Sequence, residues 1–242
     1  SDEKVEREKE NLLTLKKSMV DGLIISLTCE TTHIDALRNL IEEGMPVVLF
    51  NRISNNELPA PKVVFNDYKW AYLATEHLIE TGKKNIFHFC GPRHLSFAAN
   101  RIKGFTDAML YHQLPVNNGA IIETGLLLND GYSATEMLIK NNTMPEAIFA
   151  VNDPTAIGAI RCLLQNGYKV PEDVAVVGFT ECPFADLITP SLTSVLQPAR
   201  EMGEMTASIM LELLSGKPQK PGHTYILEGK LNIRKSSAKQ LF

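Results

Sequence analysis

The chain has 242 residues, 44% of them hydrophobic and 21% charged, and carries a net charge of −4. That length admits one large or two modest domains, and the composition is ordinary for a globular protein. The mild acidity gives no bulk sign of a nucleic-acid-binding surface, no apolar run approaches the ~20 residues of a membrane span, and the charged start from Ser1 to Glu10 shows no secretory leader.

In chain order, residues 3–19 read as a helix, with Leu12, Leu15 and Met19 on one stripe and interleaved Glu and Lys elsewhere. A strand over Leu23–Leu27 follows, then a helix through Ile34, Leu37, Leu40 and Ile41 that stops at Gly44. Strands are expected at Pro46–Phe50 and Val63–Phe65, a helix at Lys69–Glu80, a strand at Ile86–Phe89, and a helix from about Leu95 to His112. The alternation continues with strand Ala120–Glu123, helix Tyr132–Lys140, strand Ala147–Val151 and helix Thr155–Asn166. The tail holds strand Thr193–Leu196, helix Arg200–Leu214 and two strand-like pieces, Tyr225–Leu227 and Leu231–Ile233. Strands separated by helices imply parallel βαβ units.

The most informative stretch runs from Pro171 to Pro198. Val174–Val177 is too short for a helix and rich in β-branched residues, which predicts a strand buried on both faces of a parallel sheet. Gly178-Phe179 is expected to end it, leaving Thr180-Glu181 just past its carboxyl end. Open α/β sheets hold small molecules at that edge, so a ligand crevice is expected there.

VPEDVAVVGF followed by TPSLTSVLQP resembles the effector-binding domain of the LacI/GalR family of bacterial transcription regulators. The resemblance extends through DGLIIS, PVVLFNR, LATEHLIETGKKNI, CGP, RIKGF, AVNDPTAIGA and LNIRKS, from Val20 to Ser236. It implies an α/β fold of two Rossmann-like parallel-sheet subdomains joined by a three-strand hinge, the periplasmic-binding-protein-like type I arrangement. The subdomains it implies are residues 1–65 with 197–227, and residues 66–196 with 228–242. Against the family pattern the N-terminal subdomain is expected to be incomplete, lacking its first strand, helix and second strand. The DNA-reading helix-turn-helix head is likewise expected to lie outside this chain.

Arg101 is the first candidate contact, because a guanidinium offers a planar fork of donors to hydroxyl pairs, carboxylates or phosphate. By resemblance the family's effector-clamping arginine falls here; the competing reading is a surface arginine paired with Asp107. Asn152-Asp153-Pro154 is ordinary helix-start chemistry. The resemblance adds an effector contact for Asn152, and the two readings coexist if Asp153 caps while Asn152 binds. Thr180 stands where many relatives carry an aspartate, and Asn51 likewise replaces a common carboxylate. Leu126 falls where an aromatic often stacks on the ligand, and Phe97 completes the candidate set. Losing two negative charges while keeping Arg101 favours an effector that is a sugar or sugar derivative with anionic character.

Four cysteines (Cys29, Cys90, Cys162, Cys182) form no CxxC pair, so buried free thiols are expected and structural zinc is not. The six histidines form no metal pattern, and neither a GxSxG elbow nor a Walker-type phosphate loop is present. His94 and Ser96 near Arg101 lack an orienting third group. The expected function is therefore non-enzymatic and cytoplasmic, with no cofactor, no metal and no membrane contact. The expected partners are a small-molecule effector, a second copy of the chain in a homodimer, and operator DNA only through the absent head. The alternative is a solute-binding receptor of a transport system.

Overall fold

A computed structural model describes residues 3–28, 30–31, 34–53, 58–217 and 219–238. Cys29 and His33 lie outside the described residues. The first elements are α1 (Val5–Lys17), β1 (Leu23–Ile25), α2 (Asp35–Glu42), β2 (Val47–Phe50) and β3 (Lys62–Phe65). Then come α3 (Asp67–Glu80), β4 (Ile86–Phe89), α4 (Ser96–Tyr111), β5 (Ile121–Ile122), α5 (Leu128–Lys140) and β6 (Ala147–Ala150). The last are α6 (Asp153–Gln165), β7 (Ala175–Thr180), β8 (Thr193–Leu196), α7 (Ala199–Leu214), β9 (Thr224–Leu227) and β10 (Lys230–Asn232).

The chain divides into two compact units. The first comprises Ser1–Asn66, His94–Ser96 and Pro198–Glu228. Its four-stranded sheet has the order β1-β2-β3-β9 with every pair parallel. Buried runs such as Val47–Leu49 suit such a sheet because helices cover both faces. Leu12 of α1 and Leu37 and Leu40 of α2 pack with Leu23, Val47 and Leu49 in one core. The amino end of α1 is pinned by Glu8, whose carboxylate accepts from the Thr28 amide at 2.8 Å and the Thr31 hydroxyl at 2.7 Å. Within this unit the Ser96 hydroxyl donates to the Ile53 carbonyl at 3.0 Å.

The second unit comprises Asp67–Arg93, Phe97–Gln197 and Gly229–Phe242. Its six-stranded sheet has the order β10-β8-β7-β6-β4-β5, parallel except for β10, which runs against β8. Phe89, Ile148, Val176 and Leu192 lie in its core with Ala159 and Leu163 of α6. Helices α5 and α6 touch backbone to backbone. A Cβ built on Gly131 would lie 2.0 Å from the Thr155 carbonyl oxygen, and one built on Gly158 would lie 1.9 Å from that of Leu128.

The limits of β7 and α6 differ from expectation, and α3 and α5 begin earlier than expected, at Asp67 and Leu128. The strand expected to stop before Gly178 continues as β7 to Thr180, because its backbone keeps pairing with β8 as far as Thr180 opposite Leu196. Gly178 is not a turn glycine: a Cβ there would lie 2.2 Å from Asp153 Oδ1, so the missing side chain makes room for a carboxylate. Helix α6 begins at Asp153 and not at Thr155, because Asn152 takes the cap position.

Candidate functional site

In the second unit, β4, β6 and β7 are parallel neighbours, so their carboxyl ends open at one edge of the sheet. Arg101, on the second turn of α4, is 3% exposed. Its Nε and one terminal nitrogen donate to Asp67 Oδ1 at 2.9 and 2.7 Å. Its other terminal nitrogen donates to the Val151 carbonyl at the end of β6. The guanidinium carbon stands 3.7 Å from the Phe179 ring centroid and 4.9 Å from that of Phe97. Stacking on one ring while bonding in its own plane is the geometry for which arginine suits such sites better than lysine.

This placement corrects the reading that paired Arg101 with Asp107. Asp107 instead accepts from the Tyr68 hydroxyl at 2.9 Å, and Asp67, the first residue of α3, is the true counter-charge. Burial pushes the Asp67 carboxyl up, and the charge and hydrogen bonds of Arg101 pull against that shift. Asp67 escapes the sequence reading because the helix expected from Lys69 leaves it in the connection, whereas α3 begins at Asp67 itself. Its position just past the carboxyl end of β3 was the available signal.

Asn152 is half-buried and spends both amide atoms. Its Oδ1 accepts from the Thr155 amide at 2.9 Å, capping α6, and its Nδ2 donates to the Leu126 carbonyl at 2.9 Å. The expected division, with Asp153 as cap, is therefore corrected. Asp153 faces inward, where Oδ1 accepts from the Ser194 hydroxyl at 2.5 Å and Oδ2 from the Cys182 amide at 2.6 Å. Leu126 is half-buried, near Gly91 and Val151: a Cβ on Gly91 would meet the side chains of both.

Thr180 ends β7 with φ +89°, and Glu181 follows with φ +54°. Left-handed backbone is uncommon outside glycine and is an outlier for a β-branched residue, so this corner is strained. Glu181 is held by two nitrogens of Arg234, which also donates to the Leu192 carbonyl at 2.7 Å. Among the described residues the Thr180 hydroxyl takes no hydrogen-bond partner. Thr180→Gly is expected to raise stability by about 1 kcal/mol or leave it unchanged, since relief of the left-handed strain offsets glycine's entropy. A urea midpoint showing a loss above about 1 kcal/mol would refute the strain.

Five of the six candidates, Arg101, Phe97, Asn152, Leu126 and Thr180, thus belong to the carboxyl edge of the second unit. Asn51 belongs to the first unit, just past β2, with φ +58°. The first unit also holds a cavity of about 660 Å³ lined by Arg38, Leu58, Lys62 and Gly222. That cavity opens beside Lys62 and Thr224, the amino-terminal ends of β3 and β9, so it lies at the other end of the strands from the expected edge.

No group of three or more His, Cys, Asp or Glu is arranged to hold a metal among the described residues. Cys90, Cys162 and Cys182 are free thiols. His88 lies in the core with Nδ1 2.9 Å from the Phe149 carbonyl, and burial pushes its pKa down to about 3, so it is a neutral packing group. None of the described helices is long and apolar enough to cross a membrane.

A pair of parallel α/β units with polar side chains gathered at a strand edge defines a ligand-binding class of fold. Residues 75–237 match the periplasmic binding protein-like domain, and the chain belongs to that family, in the branch formed by the LacI-type regulators. It is 34% identical over 198 residues to the HTH-type transcriptional regulator DegA of Bacillus subtilis, covering 81% of this chain and 58% of that protein. The chain thus spans about three fifths of that relative's length. The structure of a transcriptional regulator CelR–cellobiose complex superposes with a TM-score of 0.88 at 27% identity, covering 96% of this chain and 71% of that one. A LacI family regulator from Enterococcus faecium with bound ribose gives a TM-score of 0.83 at 29% identity, covering 95% and 84%.

Proposed function

We propose that the chain is the effector-sensing part of a LacI-type transcription regulator and that its effector is a small sugar or sugar derivative. Five candidate residues gathered at one strand edge carry the reading, and the relatives' cellobiose and ribose indicate the ligand class. The Thr180 hydroxyl and the second proton of the Asn152 amide offer hydrogen bonds to sugar hydroxyls. Leu126 and Phe97 supply the apolar wall.

An anionic effector is expected of Arg101 standing alone, but Asp67 pairs with it. With that carboxylate 2.7 Å from the guanidinium, the local charge is balanced. A neutral sugar is therefore the first expectation, and an anionic one the second. The effector would act by binding one of two conformational states more tightly. In the whole protein that shift would reach operator DNA through a helix-turn-helix head outside this chain, in a cytoplasmic homodimer that performs no reaction.

A thermal-shift panel of ribose, cellobiose and ribose 5-phosphate tests this. Ligand at 100 times its Kd contributes about 2.7 kcal/mol, or roughly 5 to 10 °C in Tm for a unit of this size. One neutral sugar is expected to give such a shift, and Thr180→Ala is expected to reduce it. A full shift retained by Thr180→Ala, or none from any member of the panel, overturns the assignment. A shift from the phosphorylated sugar alone would restore the anionic preference.

A further inference from the structure

Asp153 is fully buried at the amino end of α6, yet among the described residues no cation is bonded to it. Its two oxygens are both used, one by the Cys182 amide and one by the Ser194 hydroxyl, which in turn accepts from the Glu181 amide at 3.2 Å. These bonds bracket the left-handed pair Thr180-Glu181 from behind. Gly178 clears the space that the carboxylate occupies, since any side chain there would collide with it. Arg234 holds the same corner from the other side through Glu181 and the Leu192 carbonyl. A β-branched residue keeps φ +89° only where its surroundings enforce it.

We propose that Asp153 is a positioning residue for the effector site: through Cys182 and Ser194 it holds the strained Thr180-Glu181 corner and so aims the Thr180 hydroxyl at the ligand. This rests on the sugar-binding reading above and deepens it. Burial pushes the Asp153 carboxyl up to about 6, its hydrogen bonds from Ser194 and Cys182 pulling the other way. A carboxyl with a raised folded pKa stabilises the fold below its unfolded pKa, and that stability is lost as pH rises through about 6. At neutral pH the fold therefore holds the ionised form against a penalty, as expected of a group retained for position. Protonation of Oδ2 removes the acceptor of the Cys182 amide, so the corner loosens and sugar affinity falls on acidification.

The charged and titratable groups facing Asp153 are Glu181 and the Cys182 thiol after β7 and Arg234 after β10, which pairs with Glu181; Asp186 faces Arg234. Asp153→Asn leaves all of them in place and keeps the bonding, its Oδ1 accepting from Cys182 and its Nδ2 donating to Ser194. Asp153→Ala removes the bonding altogether.

The test pairs a pH titration of the Cys182 amide by 15N NMR with calorimetric binding of ribose and of cellobiose. In the wild-type chain the amide should titrate near pH 6, with sugar affinity falling as pH drops, by up to about tenfold per pH unit. Asp153→Asn should give a flat amide and a flat affinity profile close to the wild-type value at neutral pH. Asp153→Ala should bind about tenfold more weakly or worse at every pH, as for one lost hydrogen bond to the ligand. A wild-type amide that does not titrate overturns the proposal and leaves sugar sensing intact. So does an amide that titrates while sugar affinity stays constant with pH. If neither sugar binds at any pH, the sensing assignment itself fails and the positioning role falls with it.

Discussion

Arg101→Met is expected to destabilise the protein by about 3 to 5 kcal/mol, because it strands a buried carboxylate. Asp67 is 6% exposed, and Arg101 is the one cation bonded to it among the described residues. The methionine also abandons the Val151 carbonyl and the face of Phe179. Without its counter-charge the Asp67 carboxyl is pushed higher still, so the native state binds a proton that the unfolded chain releases. Stability of the variant then falls as pH rises through the folded pKa of Asp67, and its deficit against wild type is smallest in acid. Asp67→Asn is expected to lose less, since Arg101 keeps the Val151 bond and the ring stacking. The double variant Arg101→Met/Asp67→Leu should recover much of the loss, because an apolar pair of similar volume often matches a buried ion pair. Urea unfolding of the wild type, Arg101→Met, Asp67→Leu and the double variant gives the coupling energy directly. A single-variant loss below about 1 kcal/mol would mean that Arg101 is not the strut of this edge.

The same pair shows what the sequence made legible and what it hid. The central strands of the second sheet announce themselves as short apolar runs between helical patterns, because a strand buried on both faces has no polar face to display. Ala147–Ala150 and Ile86–Phe89 are of this kind. Arg101 was visible through its place in RIKGF, but its partner lies 34 residues away in sequence, and local periodicity does not encode such a pairing. Glu181 and Arg234 are 53 residues apart and were equally invisible. At Asn152-Asp153 two neighbours of similar capping chemistry compete for one position, and only the direction of each side chain decides between them. Gly178 misled for another reason. A glycine closing an apolar run reads as a turn, whereas here it gives way to the Asp153 carboxylate inside a continuing strand.

Gly158→Ala sets two effects of opposite sign against each other. In a helix interior alanine is favoured over glycine by about 1 kcal/mol, so propensity alone predicts a gain. The built Cβ, however, lies 1.9 Å from the Leu128 carbonyl oxygen and 2.9 Å from the Tyr132 amide nitrogen, both backbone atoms of α5. Backbone cannot swing aside as a side-chain tip does, so the helices must separate by roughly 1.5 Å to reach ordinary contact distance. The reciprocal approach of Gly131 to the Thr155 carbonyl opens at the same time. Overpacking of this severity belongs at the upper end of the range, about 3 kcal/mol or more, and outweighs the propensity gain. Gly203→Ala is the control: it sits in α7 with nothing within 4 Å of its built Cβ, and should stabilise by about 0.5 to 1 kcal/mol. Equal urea midpoints for the two variants would show that α5 and α6 are not locked by their glycines. The consequence reaches past stability, because Asn152 and Asp153 both stand at the amino end of the helix that would move. Displacing α6 shifts the cap that bonds Leu126 and the carboxylate that braces Thr180, so Gly158→Ala should weaken sugar binding even in the fraction that remains folded.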